Sequence, residues 1–217
     1  MQRKRITGQE RKTLIMEAAK RVFSRTGYEA AKTQEIAREA KVSEALMYRH
    51  FPSKLALYRA VLRQTIREQD ENFEELFPRE RNARGIIQTL KIYFTHAASL
   101  QDDDMQQRFR MLLASLSGDG TYARLVYRRS QRTIDSSIEE ALQNAREAGE
   151  LIGEGIPVAN TSMFIEHIGT MMSAIVAISR ADTPYATVGD ELISQAVRFC
   201  CRGLGFTDEA VTRYLDE

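Results

Sequence analysis

The stretch TQEIAREAKVSEALMYRHFPSK, residues 33 to 54, constrains this chain more than any other. Ile36, Ala37 and Ala40 recur at helical spacing and give a first short helix one apolar face. Thr33 is placed to cap its N-terminus. Lys41 and Val42 make a turn and Ser43 is a second N-cap. A second helix then runs from about Glu44 to His50, stopped by Pro52. Two readings compete for such a pair. One is an ordinary helical hairpin within a core; the other is a helix-turn-helix whose second helix enters a DNA major groove. The pattern alone favours the hairpin by roughly two to one, because short helix pairs are common. The surroundings have to decide.

Upstream, Leu14, Ala18 and Val22 share one helical row and Ile15, Ala19 and Phe23 the next. They predict a helix over about residues 9–25, with Gly27 suited to a left-handed stop. This third helix buries the apolar faces of the pair, so residues 9–51 form a three-helix head. Charge divides the chain in the same place. Residues 1–67 hold 16 Lys and Arg against 6 Asp and Glu, a surplus of +10; residues 68–217 hold 15 against 24, or −9. A basic head on an acidic body meets a polyanion through the head alone, which tips the balance toward DNA. Arg3, Lys4 and Arg5 form a basic arm, open to reading as a free tail or as a contact to phosphates or a minor groove.

The remainder reads as helices at about 53–77, 84–100, 104–117, 121–149, 158–180 and 187–203, with a short one within 206–217. Only 12 glycines and 4 prolines interrupt the chain, so the fold class is all-α. The helix at 53–77 starts in basic and ends in acidic sequence, and serves as a lever or a plain strut. Asp102, Asp103 and Asp104 suit a helix N-terminus without any metal. Cys200 and Cys201 are adjacent on a helix and lack metal or redox spacing, which predicts two buried thiols. No apolar run is long enough to span a bilayer and no signal segment is visible, so a cytoplasmic protein with no membrane partner is expected.

Several spaced positions in one order carry a family resemblance: Ala18-Ala19, Phe23, Gly27-Tyr28, Thr33, Ile36-Ala37, Val42-Ser43, Leu46-Met47-Tyr48, His50-Phe51, Ser53-Lys54 and Leu57. From Ile15 through Val61 the chain resembles the TetR/AcrR family of transcriptional regulators. It departs in the turn, where Lys41 stands in place of the family's usual glycine. The resemblance implies an N-terminal helix-turn-helix domain, residues 1–54, and a larger helical effector-binding and dimerisation domain, residues 55–217. It also matches Tyr48 and Lys54 to positions that contact phosphates, and makes the helix at 53–77 the lever that re-spaces two heads.

The residues support roles of their own. The start of a recognition helix points at base edges, so Ser43, Glu44, Ala45 and Leu46 are the expected base contacts, with Arg49 able to reach a base. Thr33, Tyr48, His50 and Lys54 are the expected phosphate contacts. For an effector pocket the candidates are Tyr93, Phe94, His96, Phe109, Tyr122, Tyr127, His167 and Met171, although burial statistics favour plain core for any one of them by about three to one. His96 and His167 stand out as polar rings on apolar faces, which need a partner. The helix at 158–180 is apolar over more than one face, so a second copy covers one side. The expected interface is Phe164, Ile168, Gly169, Met172, Ala174, Ile175, Leu192, Ala196 and Phe199.

The three histidines have no metal-ligand spacing, and no nucleophile-elbow, P-loop or zincin motif is present. No catalysis, cofactor or metal is therefore expected. The reading is a homodimeric, ligand-responsive repressor that binds a pseudo-palindromic double-stranded DNA operator and answers to a small, largely apolar effector. The alternative is a DNA-binding dimer without small-molecule input, constitutive or controlled by a protein partner.

Overall fold

The computed structural model describes residues 7–73, 80–99, 103–133, 136–178 and 183–216. Among them are eleven helices: α1 (Gly8–Ala30), α2 (Thr33–Glu39), α3 (Glu44–His50), α4 (Lys54–Phe73), α5 (Ala83–Ala98), α6 (Asp103–Ser117), α7 (Thr121–Thr133), α8 (Ser136–Glu147), α9 (Val158–Ile178), α10 (Gly189–Leu204) and α11 (Asp208–Leu215). No strand occurs among the described residues, only an isolated bridge between Leu151 and Phe206. The all-α expectation holds. The basic arm at Arg3, Lys4 and Arg5 and the end of the 53–77 helix fall outside the described residues.

The chain packs as two units. The first comprises residues 1–71 and 103–126, the second residues 72–102 and 127–217. The first unit runs through residue 54 without a break.

In the first unit, α1 starts at a reciprocal cap. The Glu10 amide donates to the Thr7 hydroxyl at 3.1 Å, while the Thr7 amide donates to the Glu10 carboxylate at 2.7 Å. Ile15, Ala18, Ala19, Val22 and Phe23 are buried along the predicted stripe. The expected end at Gly27 is a kink instead. Gly27 has φ 72° and ψ 176°, and helical turns resume as far as Ala30. That conformation is open to glycine almost alone, because a Cβ there collides with the backbone. Helix α6 packs extensively along α1. This contact was not legible in the sequence, since it joins segments some 90 positions apart. Phe23, Tyr28 and Tyr58 cluster beside it, with Tyr28 and Tyr58 stacked at 4.7 Å and Phe23 edge-on to Tyr58 at 4.9 Å. The Ser115 hydroxyl accepts from the Tyr122 and Ala123 amides at 3.0 and 3.2 Å, so α6 caps the start of α7. Asp104, one of the three clustered aspartates, pairs with Lys20 and with Arg108.

In the second unit α5 is central, packed by α8, α9, α10 and α11. Ile87, Leu90 and Phe94 meet Ala141, Ala145, Met172, Ile193, Val197 and Leu215 in one core. Cys200 and Cys201 lie in it as free thiols, and burial pushes them up to about 11 and about 12.

Candidate nucleic-acid interface and effector region

Helices α2 and α3 meet at the angle set by a tight helix stop. The Lys41 amide donates to the Arg38 carbonyl at 3.1 Å and the Val42 amide to the Ala37 carbonyl at 3.0 Å. These paired bonds place Lys41 in the left-handed region, at φ 54°, where glycine is the usual residue. Ile36 and Ala37 on α2 and Met47 on α3 are buried beneath the turn. Ser43 caps α3 through its hydroxyl oxygen, which accepts from the Leu46 amide at 3.1 Å. Its O–H remains able to donate outward.

This framework presents Ser43, Ala45, Tyr48 and Arg49 as exposed and leaves Glu44, Leu46 and His50 half-buried. Leu46 also lines a hollow of about 600 Å³ with Leu14, Ala40 and Val42, rimmed by Arg11 and Lys41. His50 lies in the last turn of α3. The Lys54 ammonium donates to the Glu29 carbonyl at 2.9 Å and lies 4.7 Å from the centre of the Tyr28 ring. Those contacts aim a flexible side chain and leave donors for a phosphate.

Two expectations need correction here. Thr33 does not cap α2. The N-cap is Lys32, without a side-chain hydrogen bond, and Thr33 is the first helical residue. Nor is its hydroxyl free: it donates to the Glu44 carboxylate at 2.7 Å. Part of the basic surplus is also consumed internally. Arg25 bridges Glu35 and Glu39 at 3.0 and 2.8 Å, and Arg21 also binds Glu39. Burial raises the Glu39 carboxyl, but the two arginines outweigh it and hold the group below its ordinary range.

The second unit holds a half-buried carboxyl that the sequence reading did not single out. Glu166 is the sole acidic residue of apolar α9, which was the signal available. Its carboxyl accepts from the Tyr93 hydroxyl at 3.2 Å. Burial dominates and pushes the Glu166 carboxyl up, against the opposing influence of Tyr93, Arg129, His167 and Thr170. Burial likewise raises the Tyr93 hydroxyl, with the neighbouring carboxyl adding to it. Tyr127 packs edge-on against His167, ring centres 5.6 Å apart.

Of the eight pocket candidates, only Tyr93, Tyr127 and His167 gather around this group. Phe94 is core at 0% exposure, while Phe109 and Tyr122 are buried in the first unit. His96 and His167 are both exposed, so water can serve as the partner that each ring was expected to need. Met171 is 54% exposed, the wrong side of α9 for a pocket within the fold.

The expected interface divides similarly. Met172, Ala174, Leu192 and Ala196 are buried within the chain itself. Gly169 faces Tyr93 so closely that a Cβ would lie 2.3 Å from its hydroxyl oxygen. Ile168 and Ile175 are half-buried. Phe164 and Phe199 are exposed; so are Met171 and Val188, two residues that the sequence reading did not assign to an interface.

Residues 15–61, spanning α1 to the first turns of α4, match the model of bacterial regulatory proteins of the tetR family. The head is a tetR-family domain. This tetR-family head is 45% identical over 62 residues to the HTH-type transcriptional activator FasR of Mycolicibacterium smegmatis, covering 29% of this chain and 28% of that protein. It is 43% identical over 53 residues to the HTH-type regulator YuxN of Bacillus subtilis, a match that spans 24% of this chain and 18% of that protein. The chain thus spans under a third of the length of these two relatives. The HTH-type transcriptional regulator UidR of Escherichia coli K12 is 24% identical over 158 residues, 71% of this chain and 74% of that one.

The likeness in fold extends through both units. A tetR-family regulatory protein from Rhodococcus RHA1 has a TM-score of 0.65 at 20% identity, covering 92% of this chain and 99% of its own. The Bacillus subtilis regulator FadR, solved with stearoyl-CoA, has a TM-score of 0.63 at 19% identity, covering 88% and 98%. The whole chain therefore has the TetR-like fold: an N-terminal helix-turn-helix domain followed by a larger helical domain. Among the described residues no helix is long and apolar enough to cross a membrane.

Proposed function

We propose that this chain is a cytoplasmic, homodimeric transcriptional repressor that binds a pseudo-palindromic operator through residues 1–54 and is released by a small, largely apolar effector held by residues 55–217. One observation carries the proposal. The tetR-family head sets α3 on a buried apolar base and turns Ser43, Ala45, Tyr48 and Arg49 outward. In this reading Ser43, Glu44, Ala45, Leu46 and Arg49 address base edges, while Tyr48, His50 and Lys54 bind the backbone.

Dimerisation is supported by the apolar row Phe164, Ile168, Met171 and Ile175, which follows one face of α9 at helical spacing. Phe164 and Met171 are more than half exposed. Phe199 on α10 adds a third large exposed apolar group. Two copies joined there present two heads to a two-fold site. Effector binding is supported by the Tyr93–Glu166 pair, a half-buried polar anchor on otherwise apolar helices, with Tyr127 and the exposed His167 beside it. The Bacillus subtilis regulator FadR, a protein of this fold, was solved with stearoyl-CoA, whose acyl chain is a long apolar group. The chain performs no catalysis in this reading.

Selection from random double-stranded DNA should enrich a pseudo-palindrome bound by two chains. Lys54→Ala should weaken binding to all sequences alike and lower the salt slope by about one unit. A reporter driven from the selected site should fall in output when the protein is present, and recover when an effector found by thermal-shift screening is added. Failure to enrich any sequence refutes the proposal; increased reporter output replaces repression with activation.

A further inference from the structure

Thr33 and Glu44 occupy equivalent places, each the first residue of its helix. The turn between those helices is stiff, held by the two backbone bonds at Lys41 and Val42 and by the buried Ile36, Ala37 and Met47. Across it the Thr33 hydroxyl donates to Glu44 Oε1 at 2.7 Å, both residues being half-buried. Among the described residues no cation pairs with the Glu44 carboxylate. These facts conflict with two independent DNA contacts. A threonine hydroxyl has one proton. Given to Glu44, it is not available to a phosphate, and a carboxylate 2.7 Å from the hydroxyl oxygen repels a phosphate brought to the same place.

We propose that Thr33 and Glu44 are one recognition unit, in which Glu44 reads a base and Thr33 is the positioning residue that aims it. This rests on the operator-binding reading above. With Oε1 held by Thr33, Oε2 faces a base edge as a pure acceptor. In the major groove the only donors on base edges are the amino groups of cytosine and adenine; guanine and thymine present acceptors there. The unit therefore favours an amino-bearing base at one position of each half-site and rejects guanine and thymine by repulsion between acceptors. Removing the Thr33 hydroxyl frees the Glu44 side chain to rotate. Base discrimination then falls while the number of neutralised phosphates stays the same.

The test compares the wild-type protein with Thr33→Val, Thr33→Ser, Glu44→Ala and the Thr33→Val/Glu44→Ala double variant. Each is titrated against the selected operator and its single-base variants at several salt concentrations, with thermal melts confirming the fold. Thr33→Val should lose discrimination at the same base position as Glu44→Ala, by roughly ten-fold for the loss of one directed hydrogen bond. The double variant should discriminate no worse than Glu44→Ala alone, the salt slope should be unchanged, and Thr33→Ser, which keeps the hydroxyl, should behave as wild type. A Thr33→Val protein that binds every sequence more weakly by one factor, additively with Glu44→Ala, makes Thr33 a phosphate contact and overturns the inference. Unaltered base preference in Thr33→Val overturns it too. A wild-type protein that enriches no DNA sequence overturns the operator reading, and this unit with it.

Discussion

Lys41 is a residue in a glycine's place, and its replacement has a calculable effect. It follows the C-cap Ala40 at φ 54°, with its amide and that of Val42 closing the end of α2. For an L residue the left-handed well lies about 1–2 kcal/mol above the right-handed one, because the Cβ crowds the following carbonyl oxygen. Lys41→Gly removes that cost. It also adds freedom to the unfolded chain, which returns about 0.5–1 kcal/mol. The net expectation is a head more stable by about 0.5–1 kcal/mol. For a chain of this size that is a rise in Tm of about 1–4 °C. The Lys41 side chain is exposed, so little packing is lost. Lys41→Ala is the control: it removes the ammonium and keeps the Cβ, and should be no more stable than wild type. Urea and thermal melts of the three proteins, monitored by helical circular dichroism, read the difference. Lys41→Gly no more stable than Lys41→Ala would refute the strain argument.

Gly27→Ala should destabilise the first unit by about 1–3 kcal/mol, since φ 72° with ψ 176° is nearly closed to a Cβ; a melt equal to wild type removes the kink's significance. Phe164→Glu and Met171→Glu, on the exposed row of α9, should convert dimer to folded monomer in sedimentation equilibrium. Gly169→Ala should instead lower Tm, because its Cβ would meet Tyr93, at an overpacking cost of about 1–3 kcal/mol. Dimers that persist in both Glu variants place the interface elsewhere. Burial holds the Glu166 carboxyl protonated above its ordinary 4.5. Between that value and the folded one the native state binds more protons than the unfolded chain, so this group makes stability fall as pH rises through that window. Glu166→Gln should flatten that part of the profile in urea melts; an unchanged slope means that another group sets it.

The sequence by itself determined the local structure and the character of the head. Helical periodicity at 14–23 and 33–50, the caps and the charge division depend on neighbours within a few turns or on simple counting. α2 and α3 lie where the pattern put them. The Thr7–Glu10 cap is also written in the sequence as Thr-x-x-Glu. What only the tertiary structure decided are the pairings between distant segments and the choice of which apolar face turns inward. Helix α9 is apolar nearly all round, so its sequence could not say that Met172 and Gly169 face α5 while Phe164 and Met171 face out; only the position of Tyr93 resolves it. Tyr93 likewise meets Glu166 across 73 positions. Thr33 and Glu44 were both marked as DNA contacts, on the chemistry of each side chain taken alone. Their hydrogen bond depends on the angle between two helices, which the turn at Lys41 sets and no spacing of residues records.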